Sequence, residues 1–149
     1  ADGTLAGTQR FFVQQIVEAQ NLQSLKFGSA NAEKLTLSFW VKATKTGTHI
    51  VEFYDLDNTR QISKAYTVNS ANTWEYKTIT YAGDTTGAYG NDANASVQIS
   101  FWLMAGSNFT SGTLNTSWGS VTGANRAVGQ VNVMDSTSKE ALYYKNNSR

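Results

Sequence analysis

Few side chains in this sequence could carry out catalysis. His49 is the only histidine and there is no cysteine, so nucleophilic Ser-His and Cys-His arrangements have no recognisable motif. Glu52, Asp55 and Asp57 lie close together along the chain, where two carboxylates could in principle act as in a glycosidase. Acids beside a turn are far more commonly solvated, and a lone histidine there is expected at the surface or at a strand end. We therefore predict that the protein is not an enzyme.

Two predicted turns offer oxygen ligands of the kind that calcium prefers. They span residues 55–58 and 91–94, and both combine Asp with Asn. Neither turn matches an EF-hand loop, and the same side chains serve turns by bonding to the local backbone. We expect no cofactor, and the weak candidates for a Ca²⁺ site are Asp55, Asp57 and Asp92.

Aromatic residues offer a binding chemistry instead. Trp40 and Trp102 each lie on the polar side of a predicted strand, opposite its apolar residues. If that side is open, the two indoles form a platform on which a sugar could stack, with polar neighbours for its hydroxyl groups. These neighbours are Thr36, Ser38, Gln98 and Ser100. The favoured alternative is that a loop, the turn at Asn21 or another subunit covers both indoles, because large exposed aromatics are costly.

The two longest turn-rich segments, residues 83–94 and 106–127, are further binding candidates. Both adjoin the same predicted strand, so we expect them near its two ends. Tyr89, Phe109 and Trp118 could supply stacking surface there, and the Thr, Ser and Asn residues around them could bind sugar hydroxyls. We predict that any ligand contact is made by these loop tips rather than by a deep pocket.

Two strands are expected to position all of these residues. Residues 35–41 and 97–104 place Leu, Val, Ile or Phe at every second position, which is the period of a β-strand, and both contain Ser-Phe-Trp. We interpret them as the central strands of one β-sandwich, with their apolar faces forming the core. The predicted core residues are Leu35, Leu37, Phe39, Val41, Val97, Ile99, Phe101 and Leu103.

The other segments favour an all-β protein. Asn21 as N-cap and Gly28 as terminator predict one short helical turn at residues 21–27. Short runs of β-formers separated by turn residues predict the remaining strands. They span residues 9–18, 48–55, 60–68, 74–82 and 128–133. We expect the sheet to be completed either by a last strand at 141–144 or by a neighbouring chain. The pattern predicts an antiparallel β-sandwich of the jelly-roll type, with an immunoglobulin-like sandwich as the alternative.

Length and charge limit the class of protein. The chain has 149 residues, enough for one domain, and we predict a flexible linker at 1–8 followed by a single sandwich at 9–149. A net charge of +1 lacks the basic surface of a nucleic-acid binder, and no apolar run is long enough to span a membrane. Since the chain does not begin with Met, we expect a processed chain or a piece of a longer one.

Several segments in order carry a resemblance to a known group of proteins. They are ANAEKLTLSFWVKA at 30–43, TKTGT at 44–48, ANTWEYKTITYAGDTTG at 71–87, VQISFWLMAGSNF at 97–109 and QNLQSL at 20–25. Together they resemble a jelly-roll module of bacteriophage tail-fibre and other virion-surface proteins, similar also to carbohydrate-binding modules. The resemblance covers roughly residues 15–133. The end of the chain, STSKEALYYKNNSR, departs from the apolar last strand usual in such modules.

The resemblance implies a non-enzymatic structural and interaction protein of a phage particle, such as a fibre, spike or capsid-decoration module. We expect it at the virion surface, outside the cell, with other virion subunits as partners and as a homo-oligomer. A host-surface glycan or receptor is the expected ligand, with no nucleic acid and no membrane insertion. The alternative is a carbohydrate-binding module of a secreted enzyme.

Overall fold

The computed structural model describes residues 5–135, 138–139 and 142–146. Strands dominate this part of the chain, and helical segments are short. The strands are β1 (Arg10–Glu18), β2 (Leu35–Ala43), β3 (Gly47–Asp55), β4 (Arg60–Val68), β5 (Glu75–Tyr81), β6 (Ala95–Ala105), β7 (Gly119–Ser120), β8 (Met134–Asp135), β9 (Ser138–Lys139) and β10 (Leu142–Asn146). The helical segments are 3₁₀ turns at Ala19–Leu25 and Gly123–Asn125 and the single α-turn α1 at Ser107–Thr110.

The strands form two antiparallel sheets, which confirms the predicted all-β sandwich. A five-stranded sheet has the order β1-β6-β3-β4-β7, and a three-stranded sheet has the order β10-β2-β5. The chain passes from one sheet to the other after β1, β2, β4 and β5, as expected for a jelly roll. A small hairpin of β8 and β9 lies outside both sheets.

The main core lies between the two sheets. Phe39 of β2 is buried and makes edge-to-face contacts with Tyr66 and Phe101, at centroid distances of 5.1 Å. Of the other predicted core residues, Val41, Val97 and Leu103 are also buried. Four are half-buried, and they pack against this core: Leu35, Leu37, Ile99 and Phe101. The alternation in β2 and β6 therefore has its physical cause in the apolar layer between the sheets.

The five-stranded sheet is also covered on its second face. Here Trp102 is fully buried and packs with Phe12 and Phe109, while Ile50 and Ala127 complete a second apolar cluster. The covering layer is the irregular segment 106–133, which follows β6 and folds back over the sheet. This explains why β6 is apolar or buried on both sides for much of its length.

The prediction of a strand at 128–133 is wrong. Gly129 has φ = 88°, which interrupts an extended backbone, and the segment bonds to two different strands instead of pairing with one. Val131 N–H donates to the Thr48 carbonyl and Val133 N–H donates to the Leu103 carbonyl, each at 2.8 Å. The segment thus ties the covering layer to β3 and β6 without forming a strand.

The helical turn and the chain ends depart slightly from expectation. The 3₁₀ turn begins at Ala19 rather than after Asn21, and Lys26 ends it in the left-handed region at φ = 53°. The last strand, β10, pairs with β2. The predicted linker at 1–8 lies partly outside the described residues. In the described part of that linker, the Gly7 carbonyl accepts a hydrogen bond from Asn108 N–H at 3.1 Å.

Candidate functional site on the outer face of the three-stranded sheet

The outer face of the three-stranded sheet carries hydroxyl and aromatic side chains. Because Leu37, Phe39 and Val41 point into the core, the alternate residues of β2 point outward. The antiparallel register sets each of them beside an outward residue of β5. The pairs are Thr36 with Thr80, Ser38 with Thr78, and Trp40 with Tyr76, and these six residues are called the Trp40 strip below.

The aromatic end of the Trp40 strip is open to solvent. Trp40 is 37% exposed and Tyr76 is 47% exposed, and their ring centroids lie 5.4 Å apart at an interplanar angle of 51°. At the other end, the hydroxyl oxygens of Thr36 and Thr80 are 3.0 Å apart, within hydrogen-bond distance. Two accessible rings followed by a row of hydroxyl groups form a surface that can stack on a sugar ring and bond to its hydroxyls.

A third aromatic residue, Trp74, precedes β5 and is 43% exposed. The loop that leads to it is fixed by Glu75, whose carboxylate accepts the backbone N–H groups of Asn69 and Ser70 at 2.8 and 2.7 Å. Lys77 Nζ lies 2.7 Å from the same carboxylate, and this bond is the main cause that lowers the pKa of Glu75 to about 2. The loop beside the strip is therefore held by an ionised side chain at neutral pH.

The predicted loop contacts Tyr89 and Trp118 are engaged within the protein. Both are half-buried and pack on Phe27, Tyr89 stacked at 5.3 Å and Trp118 edge-on at 5.6 Å. The Trp118 indole N–H also donates to the Ala82 carbonyl at 2.7 Å. These side chains join the two long loops to Phe27, just after the 3₁₀ turn, so both rings are partly covered within the protein.

Trp102 and Phe109 are buried, so the structure contradicts a surface binding role for either residue. Trp102 is 0% exposed and Phe109 is 8% exposed, and they pack together beneath the covering segment. The predicted platform of Trp40 beside Trp102 does not form either, because the two residues lie on different sheets. The sequence pattern places each indole opposite an apolar face, but only the tertiary structure shows that one face is covered.

The cover over Trp102 contains a buried ion pair. Glu52 is fully buried, and its carboxylate accepts the Arg126 Nε and Nη2 groups, both at 2.8 Å. The Trp102 indole N–H donates to the same carboxylate at 3.3 Å, and the guanidinium lies 5.4 Å from the Trp102 ring centroid. Alternation also puts Glu52 and Asp55 on opposite faces of β3, so these two cannot act as a glycosidase pair across one cleft.

The candidate calcium ligands already accept hydrogen bonds from other residues of the protein. Asp55 accepts both the backbone N–H and the side-chain amide of Asn58 at 2.9 Å, and Asp57 accepts the Ser96 hydroxyl at 2.7 Å. Asp92 bonds to Asn94 in the same way as Asp55 bonds to Asn58. No group of three or more His, Asp or Glu suited to a metal occurs among the described residues.

His49 is the third residue of β3, near the beginning of that strand, and it is buried rather than exposed at the surface. It is 0% exposed and stacks on Tyr66 at a centroid distance of 5.5 Å. Burial lowers the pKa of His49 to about 4, and a backbone hydrogen bond with Lys45 opposes this only in part. The imidazole is therefore neutral near pH 7 and contributes to the fold rather than to an open site.

The ion pair of Arg60 with Asp84 was not predicted from the sequence. Asp84 is 2% exposed and receives the Nε and Nη2 groups of Arg60, the latter at 3.0 Å. It anchors the loop 83–94 to β4. The surrounding side chains leave no space for one at Gly87, where a Cβ would lie 2.7 Å from Asp55 Oδ2. Because Arg60 and Asp84 are 24 residues apart and belong to no local motif, the sequence pattern does not indicate that they pair.

Comparisons of this chain with protein-family models, with curated proteins and with solved structures find no match. In the part of the chain that the structure describes, helices are too short and too polar to cross a membrane. The functional argument therefore depends on the geometry of the Trp40 strip and on the sequence resemblance.

Proposed function

We propose that the protein is a non-catalytic interaction module that contacts glycans through the Trp40 strip. One observation carries this proposal: the exposed Trp40–Tyr76 pair continues into a row of Thr and Ser hydroxyls on one open sheet face. Aromatic faces stack on the apolar side of a sugar ring, and hydroxyl groups bond to its polar edge. A flat strip of this kind suits an extended glycan better than a small molecule enclosed in a pocket.

The strip replaces the loop tips as the proposed contact. Of the aromatic residues predicted in the loops, Phe109 is buried, and Tyr89 and Trp118 pack on Phe27. Their rings would have to leave these contacts to stack on a ligand, and this would cost packing energy. Trp40 and Tyr76 pack on each other and still present accessible surface, at 37% and 47% exposure.

The biological setting that we propose follows the sequence resemblance. The module would belong to a bacteriophage fibre, spike or capsid decoration, outside the cell, where many copies raise the avidity of weak individual sites. The alternative setting is a carbohydrate-binding module of a secreted enzyme, which would use the same strip. A catalytic domain encoded in the same full-length gene would favour the second setting, and neighbouring virion genes would favour the first.

The direct test measures glycan or host-cell binding by the purified chain and its variants. Trp40→Ala and Tyr76→Ala should each weaken binding about tenfold, because each removes a stacking surface. Leu56→Ala is the matched control, since Leu56 is 36% exposed but lies in the turn after β3, away from the strip.

Circular dichroism and thermal melts must show that each variant keeps the wild-type fold. Unchanged binding in folded Trp40→Ala and Tyr76→Ala variants would contradict the proposal. If Trp118→Ala alone abolished binding, the site would return to the loops. Because net charge is +1, binding should depend only weakly on salt concentration.

A further inference from the structure

Strand β1 forms one edge of the five-stranded sheet. It pairs with β6 on one side, and among the described residues no strand pairs with its other side. β1 has nine residues, which is longer than a typical edge strand, and between Arg10 and Glu18 it contains neither Lys nor Pro. A long edge without these blocking residues is a template for another strand.

The backbone of β1 is regular along its whole length. Its pairing with β6 shifts register twice, but each shift skips a residue of β6, Leu103 in one case and Ser96 in the other. The bulges therefore lie in β6, and they do not twist the outer edge of β1 away from a partner. One carbonyl of β1, that of Ile16, accepts the side-chain amide of Gln15 at 2.8 Å, and an incoming strand would displace this exposed bond.

The side chains along this edge are apolar and accessible. Phe11, Val13 and Ile16 are 47%, 50% and 44% exposed. Three exposed apolar residues in one edge strand are costly for an isolated domain and favour a partner that covers them. Between them lie Gln14 and Gln15, which are also exposed.

The sequence of β1, RFFVQQIVE, can pair with itself in the antiparallel direction with opposite charges at its ends matched and Val13 opposite Gln15. An antiparallel pair centred on Gln14 places Arg10 opposite Glu18 of a second copy, and by symmetry this occurs twice. The same register sets Phe11 opposite Val17 and Phe12 opposite Ile16. Moving the register by two residues would leave both charges unmatched, and moving it by one would exchange the two faces of the strand.

We propose that β1 is a dimerisation strand, which pairs with β1 of a second copy about a twofold axis at Gln14. The two five-stranded sheets then form one continuous sheet across the interface. The occupant is a second copy because the charges at the two ends of the strand are opposite and match only in this arrangement. Formation of this dimer does not depend on glycan binding. The dimer would carry two Trp40 strips.

Cysteine cross-linking tests the register, since the chain has no native cysteine. In the proposed dimer the Gln14 Cα atoms face each other about 4.5–5.5 Å apart, within the range for a disulfide. The Gln15 Cα atoms lie on a diagonal about 8 Å apart, beyond that range. Under mild oxidation Gln14→Cys should form a covalent dimer at least tenfold faster than Gln15→Cys. Equal rates, or a faster reaction of Gln15→Cys, would overturn the proposed pairing.

Charge reversal tests the ends of the strand by analytical ultracentrifugation. Arg10→Glu and Glu18→Arg should each raise the dimer dissociation constant about tenfold, because each converts two opposite-charge pairs into like-charge pairs. The double variant Arg10→Glu/Glu18→Arg restores the match and should return the constant to within about threefold of wild type. A wild-type chain that stays monomeric at millimolar concentration, or a double variant no tighter than the singles, would refute the dimer. If a charge variant does not fold, the cross-linking comparison still decides.

Discussion

The buried His49 predicts how stability depends on pH. In the unfolded chain its pKa is near 6.5, whereas burial in the folded protein lowers it to about 4. As pH falls below 6.5 the unfolded state takes up a proton that the folded state does not, so acidification favours unfolding. The contribution of His49 to stability is complete above pH 6.5, declines between 6.5 and 4, and changes no further below 4.

The magnitude follows from the distance between the two pKa values. A gap from 6.5 to about 4 corresponds to a loss of about 3 kcal/mol of unfolding free energy, of which about 2 kcal/mol is lost by pH 5. The cause is that water cannot solvate a charged imidazolium at this fully buried position beside Tyr66. On acidification from pH 6.5 to 4, we expect the wild-type protein to lose about 3 kcal/mol more unfolding free energy than a variant without a titrating group at this position.

The assay compares wild type with His49→Phe, which keeps a ring against Tyr66 but carries no proton. Urea unfolding followed by tryptophan fluorescence at several pH values between 4.5 and 8 yields the free energy of each protein. All other titrating groups are shared, so the difference between the two curves isolates His49. The reasoning is refuted if the two curves run parallel, with a difference that changes by less than about 0.5 kcal/mol across this range.

Three further predictions concern stability. Arg126→Met should lower the free energy of unfolding by about 3–5 kcal/mol, because it leaves the buried Glu52 carboxylate without its charged partner. In urea melts, the double variant Arg126→Met/Glu52→Gln should recover part of this loss. Phe39→Ala should cost about 3–5 kcal/mol by opening a cavity between the sheets, and a loss under about 1 kcal/mol would contradict its place in the core. Because Lys77 lowers the pKa of Glu75 to about 2, the Glu75 contribution is present above about pH 4.5 and is lost as pH falls toward 2. Glu75→Gln should therefore lower the melting temperature at pH 7 but not at pH 2, and an equal effect at both values would exclude an ionic role.

Local alternation was enough to predict the strands that form the centre of the sandwich. In β2 and β5 the apolar residues recur with the strand period, because one face of each strand is buried between the sheets and the other points outward. The polar turns also mark where strands end. The fold class is thus contained in short-range pattern, which depends on each residue and its near neighbours.

Which faces are open was decided only by tertiary structure. Trp40 and Trp102 occur in the same Ser-Phe-Trp motif, yet one is 37% exposed and the other is fully buried. The difference arises because the segment 106–133 folds back over one sheet, and no local pattern encodes that cover. Gly129, with its positive φ, turns this segment away from the strand that its valines predict.

Long-range pairs were likewise hidden in the sequence. Arg126 meets Glu52 across 74 positions of the chain, and Tyr76 meets Trp40 only through the register of β2 with β5. Such contacts depend on where whole strands pack, since burial and register bring together side chains that have no short-range relation. The sequence by itself therefore determined which residues alternate and where turns fall, whereas packing of the two sheets and their cover determined which aromatic residues remain on the surface.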